Sequence, residues 1–312
     1  MNNIEVVLSM NILLLAGGWS SEREVSLRGA ESIKHSLEEL GHSVRLCDIA
    51  HEFSSLISLL ETAEFAFINI HGKGGEDGLL PALVERCGIP YQCSNAQSSF
   101  LSLNKAMTKA LYKKYGLPTP LYMLYTALPS HISLQKYPLF VKENMGGSSL
   151  GLYRVDNEKE AIEAIEAILS CGDCALVEES ITGVEVTCGI LGERALPPVL
   201  ITPHKGIFFT YESKYEKNAA EELCPAPLPD EQNQIIMEYA QRAHTALELF
   251  GYSRTDMMVQ EDGSIFLLET NTIPGMTTTS LLPKEAHAVG ISFTELVDIL
   301  VKQGIERHSK KA

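Results

Sequence analysis

The chain has 312 residues, 45% of them hydrophobic and 21% charged, and a formal net charge of -15. This composition describes a soluble globular protein of about two domains, or three small ones, with ample chain to bury a core. The acidic balance argues against nucleic-acid or anionic-membrane partners, since either needs a basic face, and an anionic ligand would require positive charge focused in one cleft.

In chain order, residues 6–8 and 12–15 are apolar runs broken by Ser9, Met10 and Asn11, with no Lys or Arg before them. That is a poor signal peptide, and no apolar run approaches the roughly 18 residues of a membrane span. A cytoplasmic location is expected, with Met10 a second candidate start. "NILLLAGG" (11–18) reads as a buried strand entering a glycine turn. Ser21, with Glu24 three residues later, fits a capping box for a helix running through Leu40 to Gly41. "HSVRLCDI" and "EFAFINI" (64–70) are further strands, so the segment to residue 103 predicts a parallel sheet with helices on its faces.

Residues 104–115 predict a helix stopped by Gly116-Leu117-Pro118, residues 137–155 a strand, a Gly-Ser loop and a strand, and residues 157–170 an amphipathic helix. "CALVEES" (174–180) and "EVTCGIL" (185–191) are strands. Residues 211–222, "YESKYEKNAAEE", are polar enough to predict a mobile surface loop, expected to order as a lid over bound ligands. A helix is predicted over 231–250, a hairpin after it, and a last helix near 292–305. The seven cysteines are an odd number in a large chain, which speaks against a disulfide framework. Cys171-Gly-Asp-Cys174 is a lone CxxC without the second pair a zinc ribbon needs, and reads as reduced thiols near a helix end.

"YSRTDMMVQEDGSIFLLETN" is a hairpin around Asp262-Gly263. A two-residue loop places Asp256 opposite Glu269 and Arg254 opposite Asn271, all on one face at one end. Two facing carboxylates need a cation or a shared proton. Asp, Glu and Asn oxygens suit Mg²⁺, and Arg254 suits a phosphate oxygen. The plainer reading is a solvated strand end with Arg254 pairing one carboxylate, and a one-residue slip would undo the pattern.

"VKENMGGSSLG" joins Lys142 to glycines that let backbone N–H groups approach phosphate, with hydroxyls from Ser148 and Ser149. The order is wrong for a Walker A loop. A Gly-Ser loop alone is ordinary turn chemistry, but Lys142 at an apolar strand end calls for an anionic partner. "LVEESITGVE" (176–185) resembles a hinge where Glu178 and strand-end backbone groups can meet an adenine edge; an acidic connecting loop is the equal alternative.

Together, "AGGWSSEREVSLRGA", "HGKGGEDGLLPALVE", "KENMGGSSLGL", "YESKYEKNAAEELCPA" and "RTDMMVQEDGSIFLLETNTIPGMTTTSLLP" resemble, in order and from Met10 to about residue 305, the D-alanine:D-alanine ligases of the ATP-grasp superfamily. The resemblance implies a three-lobed α/β architecture with an N-terminal parallel-sheet domain (10–103), a central lobe (104–184) and a C-terminal lobe (185–312), the latter two enclosing ATP. It implies ligation of two D-alanines through a D-alanyl phosphate for peptidoglycan and cell-wall synthesis. It also implies two Mg²⁺ ions, replaceable by Mn²⁺, held by Asp256, Glu269 and Asn271. Lys105, Lys142 and Lys214 would contact phosphate, and Ser149, Glu178, Glu179, Ile181 and Glu185 would complete the ATP site. Arg254 and the Gly275 backbone would stabilise the tetrahedral intermediate. Glu22 would anchor the first D-Ala ammonium, with His71 beside it and Ser148 and Tyr215 joined to Glu22. Ser280 and Met276 would serve the second amino acid. A homodimer is expected.

The chain departs from the family pattern in three places. It has no Pro after Lys142 and a Gly at 146, Glu179-Ser180 at the hinge, and Trp19 after Gly-Gly. Lys214-Tyr215 matches the dipeptide makers rather than the D-lactate-using ligases. The alternatives are another ATP-grasp carboxylate-amine ligase, from which Glu22, His71 and Ser280 discriminate, and a silent nucleotide-binding protein, which would lack a metal ligand. A dinucleotide-dependent oxidoreductase would need the GxGxxG that is missing.

Overall fold

The computed structural model describes residues 9–147, 151–203 and 220–311. The chain divides into two compact units, one of Met1–Ala96, Phe250–Tyr252 and Ile273–Ala312, the other of Gln97–Leu249 and Ser253–Thr272.

The first unit is built on parallel strands β1 (Asn11–Ala16), β2 (Ser43–Asp48) and β3 (Phe65–Ile68), in the order β2-β1-β3. β1 is buried on both faces, as its unbroken Ile-Leu-Leu-Leu run requires of a central parallel strand. Helix α1 (Arg23–Glu39) joins β1 to β2 and ends at Gly41, whose φ of +88° suits a residue without Cβ. The short helices α2 (Ile49–Glu52) and α3 (Leu56–Leu60) lead from β2 towards β3. Helix α4 (Leu79–Cys87) follows β3.

The second unit begins with α5 (Ala96–Leu103) and α6 (Lys105–Lys114), the latter capped by Asn104, whose side chain accepts from Met107 N at 3.1 Å. Strands β4 (Tyr122–Tyr125), β5 (Leu139–Glu143), β6 (Leu152–Val155) and β7 (Ala175–Glu179) form an antiparallel sheet in the order β4-β7-β5-β6. Helix α7 (Glu158–Ser170) covers it through Ala161, Ile165 and Ile168 against Leu139, Val141 and Val177. The other sheet runs β11-β10-β8-β12-β13, from β8 (Val184–Leu191), β10 (Val199–Pro203), β11 (Ala220–Leu223), β12 (Tyr252–Val259) and β13 (Ile265–Asn271), with β9 (Arg194–Ala195) on β8. Helix α8 (Asp230–Ala246) packs Ile236, Ala240 and Ala243 on Val186, Met257 and Leu267. Helices α9 (Leu281–Ala288) and α10 (Phe293–Lys311) return the chain to the first unit.

Four expectations are corrected. The Ser21–Glu24 capping box does not form: α1 begins at Arg23, Glu22 holds the N-cap position, and no side chain caps it. The predicted loop 211–222 ends in β11, whose Glu221 and Glu222 pair with Thr202 and Ile201; residues 211–219 lie outside the described residues. The last helix begins at Phe293 and reaches Lys311. The hairpin closes with three residues, 261–263, rather than two: Gln260 N donates to Ser264 O at 2.8 Å, and Gly263 has φ +86°.

Candidate active site

The register shifts between Asp256 and Met257, so Leu268 is an extra residue in β13, a β-bulge. The longer loop and the bulge cancel. Beyond the bulge Asp256 still faces Glu269 and Arg254 still faces Asn271. The bulge also explains how an apolar strand turns polar. Ile265 and Leu267 are buried, and strict alternation would put Glu269 beside them. The extra residue switches parity, so Thr270 takes the core side and Glu269 and Asn271 join Arg254 and Asp256 on the opposite face. Thr270 is fixed there by Tyr112 Oη at 2.6 Å and Thr255 Oγ1 at 2.9 Å.

The buried Asp256 carboxylate accepts from Arg254 Nε and Nη2, both at 2.9 Å, from Thr187 Oγ1 at 2.6 Å and from Asn271 Nδ2 at 3.2 Å. Glu269 lies 3.3 Å from the Lys105 ammonium. Two carboxylates and an amide are hard oxygen donors, the set Mg²⁺ takes. No cluster of three His, Cys, Asp or Glu side chains that could hold a metal occurs among the described residues.

Lysines gather beside it. Lys105 Nζ donates to Gly146 O at 2.6 Å, tying α6 to the Gly-rich loop. Lys142 Nζ lies 2.5 Å from Glu178 Oε1, and Lys109 Nζ 2.8 Å from Glu178 Oε2. Burial alone would raise the Glu178 carboxyl, but the two ammoniums outweigh it and hold it below the usual carboxylate range. Burial pushes the Lys109 ammonium down to about 8, against the pull of Glu178. At the hinge, Glu179 closes β7 with its N–H bonded to Leu121 O at 3.0 Å, half-buried Ile181 follows, and Glu185 pairs with Ile201 across β8 and β10.

In the first unit, Glu22 is the N-cap of α1 and makes no side-chain capping bond. Its carboxylate lies against Gly72, where a Cβ would stand 3.4 Å from Glu22 Oε2. His71 is buried, and its Nδ1 donates to Ile273 O at 3.0 Å. Nε2 is buried and has no hydrogen-bond partner among the described residues. Ser280 caps α9; its Oγ accepts from Thr277 N at 3.1 Å and lies 2.7 Å from Thr277 Oγ1. A Cβ on Gly275 would stand 2.9 Å from Ser280 Oγ, and Met276 is fully buried.

Three residues of these clusters escape a reading of the sequence. Glu76 accepts from Gly72 N at 2.9 Å and from Ile273 N at 3.1 Å, so one buried carboxylate fixes the loop after β3 to the segment before Gly275. Burial and nearby Glu22 push its carboxyl up, opposed by His71 and by these backbone donors. Its signal was its place in "HGKGGEDG". Lys109 sits one turn after Lys105 on the same face of α6, a spacing open to inspection. Thr187 had no signal. Ser148, Ser149, Lys214 and Tyr215 lie outside the described residues. All seven cysteines are free thiols, and no described helix is long and apolar enough to cross a membrane.

Comparison with known proteins follows the same lines. The family model described as "D-ala D-ala ligase C-terminus" matches residues 111–302. A D-alanine--D-alanine ligase of Oleidesulfovibrio alaskensis is 50% identical over 307 residues, which cover 97% of this chain and 99% of that one. The enzyme of Lawsonia intracellularis is 49% identical over 304 residues, covering 96% and 100%. The crystal structure of D-alanine--D-alanine ligase from Bacillus anthracis complexed with ATP superposes with a TM-score of 0.86 at 30% identity, over 97% of this chain and 100% of that one. With its parallel-sheet unit, its two antiparallel sheets and a match along nearly its whole length, the chain belongs to the D-alanine–D-alanine ligase family and has its ATP-grasp fold.

Proposed function

We propose that the protein is an ADP-forming ligase that joins two D-alanines into D-Ala-D-Ala for peptidoglycan precursor synthesis. The relatives' names supply the reaction. In this chain, the observation that carries it is the hairpin end, where Asp256 faces Glu269 and Arg254 faces Asn271 beside Lys105.

In this reading the second unit takes the nucleotide. Lys105 and Lys142 contact its phosphates, the segment Glu178, Glu179, Ile181 and Glu185 lines the adenosine, and Asp256, Glu269 and Asn271 hold two Mg²⁺, with Mn²⁺ as a substitute. Bound there, the ions neutralise phosphate charge during transfer. The first D-Ala binds through Glu22, which pairs its ammonium, with His71 beside it. Its carboxylate oxygen attacks the γ-phosphorus, ADP leaves, and a D-alanyl phosphate results. The second D-Ala, held by Ser280 and Met276, attacks the acyl carbon through its neutral amine. The oxyanion is met by Arg254 and the Gly275 N–H, and phosphate leaves as the peptide bond forms. The proposed lobes are 10–103, 104–184 and 185–312: the first serves the amino acids together with Gly275, Met276 and Ser280 of the last, and 104–184 and the rest of 185–312 serve the nucleotide and metal. The working form is a cytoplasmic homodimer.

The test is phosphate release with ATP and Mg²⁺ across D-Ala, L-Ala, D-Ser and D-lactate, with products weighed by mass spectrometry. D-Ala-dependent release with a D-Ala-D-Ala mass is expected. Release without dependence on a D-amino acid, or an ester from D-lactate with no dipeptide, would overturn the reading.

A further inference from the structure

Among the described residues, Lys109 is the charged side chain of the nucleotide cluster that no step above uses. It is fully buried, whereas the Lys142 side chain is 12% exposed, so Lys142 can meet a ligand and Lys109 cannot. Its ammonium has three protons. It forms an ion pair with Glu178 Oε2 at 2.8 Å and donates one proton to Thr119 Oγ1 at 2.9 Å. The Thr119 hydroxyl donates in turn to Leu267 O at 2.8 Å, the last core-facing residue before the bulge that orients Glu269 and Asn271. The Tyr122 ring of β4 lies 5.9 Å from the ammonium.

Charge arithmetic around Glu178 decides what this arrangement does. One carboxylate sits between two ammoniums. With Lys142 alone, the pair would be neutral, and Lys142 would offer a phosphate little net charge. With Lys109 on the second oxygen, the trio carries one positive charge, and the exposed partner presents it. A buried carboxylate with one cation removed is also left poorly compensated and free to turn.

We infer that Lys109 is a positioning residue for nucleotide binding: it holds and neutralises Glu178, so that Lys142 keeps its charge for a nucleotide phosphate, and it ties the hinge strand to the ligand-bearing hairpin. This rests on the nucleotide reading of the same cluster.

The experiment is calorimetric titration of Mg-ATP into the full-length protein and its Lys109→Met, Glu178→Gln and double variants, with KM for ATP and for D-Ala measured alongside. Lys109→Met should weaken ATP binding by about tenfold or more, as loss of one partner of a buried ion pair implies, and leave KM for D-Ala unchanged. With Glu178→Gln as background, the same substitution should cost less than threefold, because no carboxylate then needs its second cation. A purely structural lysine would give losses that multiply and would move both KM values. Lys109→Gln, which keeps a donor for Thr119, is read in the same way if the Met variant melts early. ATP binding within twofold of wild type in both single Lys109 variants, or losses that multiply in the double variant, overturns the inference. Wild-type protein that binds ATP but releases no D-Ala-dependent phosphate overturns the ligase reading instead and leaves this one standing.

Discussion

Gly146 has no room for a side chain. A Cβ there would fall 2.5 Å from Glu143 Oε2 and 2.6 Å from Glu143 Cβ, and Gly151, with φ +67°, has the same side chain 3.1 Å away. Glu143 is therefore folded back between two glycines of the Gly-rich loop, while Gly146 O receives the Lys105 ammonium. The two departures from the family pattern at 143 and 146 are one packing event: the side chain that replaces Pro occupies the space the glycine leaves. Gly146→Ala should weaken ATP binding by about tenfold, since the added methyl meets a Cβ that cannot swing aside, and Glu143→Gly, which removes that Cβ, should restore most of it in the double variant. ATP titrations decide this, and a Gly146→Ala protein that binds like wild type would sink the account. In the sequence, Gly146 read only as loop chemistry, because which side chain fills the space beside a glycine depends on a fold-back that no spacing rule encodes.

At the scale of elements, the hairpin shows how a correct reading can rest on two compensating errors. Asp262-Gly263 predicted a hairpin with its four polar residues on one face, and that holds. The loop is one residue longer than a two-residue turn, and Leu268 adds one residue to the partner strand, so the ligand end regains its register. Turn residues announce a reversal; loop length and bulge are settled by packing of both strands against α6 and α8. Another element-level contact is pH-sensitive. His244 of α8 is buried and bonded through Nδ1 to Ser253 Oγ of β12 at 2.7 Å, and burial pushes its imidazole down to about 4 from 6.5. Above pH 6.5 the ring is neutral folded or unfolded. As pH falls from 6.5 towards 4, the unfolded chain takes up a proton the folded one refuses, and stability is lost. Between pH 7.5 and pH 5 the loss from this group is about 2 kcal/mol. Urea unfolding at the two pH values should show His244→Asn losing less stability than wild type by that amount; equal losses would mean the imidazole is protonated while folded.

At the scale of the whole molecule, the first unit is assembled from three separated segments, 1–96, 250–252 and 273–312. Arg307, near the end of α10, staples them. Its guanidinium lies 4.2 Å from the Tyr91 ring centre and 4.1 Å from that of Phe250, and it donates to Cys93 O at 2.7 Å and Tyr91 O at 2.9 Å. Arg307→Ala removes a stacked, partly buried cation and leaves two carbonyls short of a donor, which should cost about 2 kcal/mol or more. Arg307→Lys should recover only part of this, since an ammonium cannot stack as a plane or fork to both carbonyls. A lowered urea midpoint for the Ala variant is the expected result; an unchanged one would show that α10 docks through its apolar face alone.

The sequence by itself determined the alternation of strands and helices, the shared face of the hairpin's four polar residues and the family, because apolar period and turn residues are local properties written in consecutive positions. The one cap expected from the sequence, Ser21, does not form, whereas Asn104 and Asn157 do cap their helices, accepting from the residues three positions on. Only the tertiary structure decided that Glu178 is shared by Lys109 and Lys142, that Glu76 clasps Gly72 and Ile273, and that the last forty residues return to the first unit. Each of these joins residues far apart in the chain, and which distant groups meet is set by how buried surfaces pack, a choice made between elements and not within them.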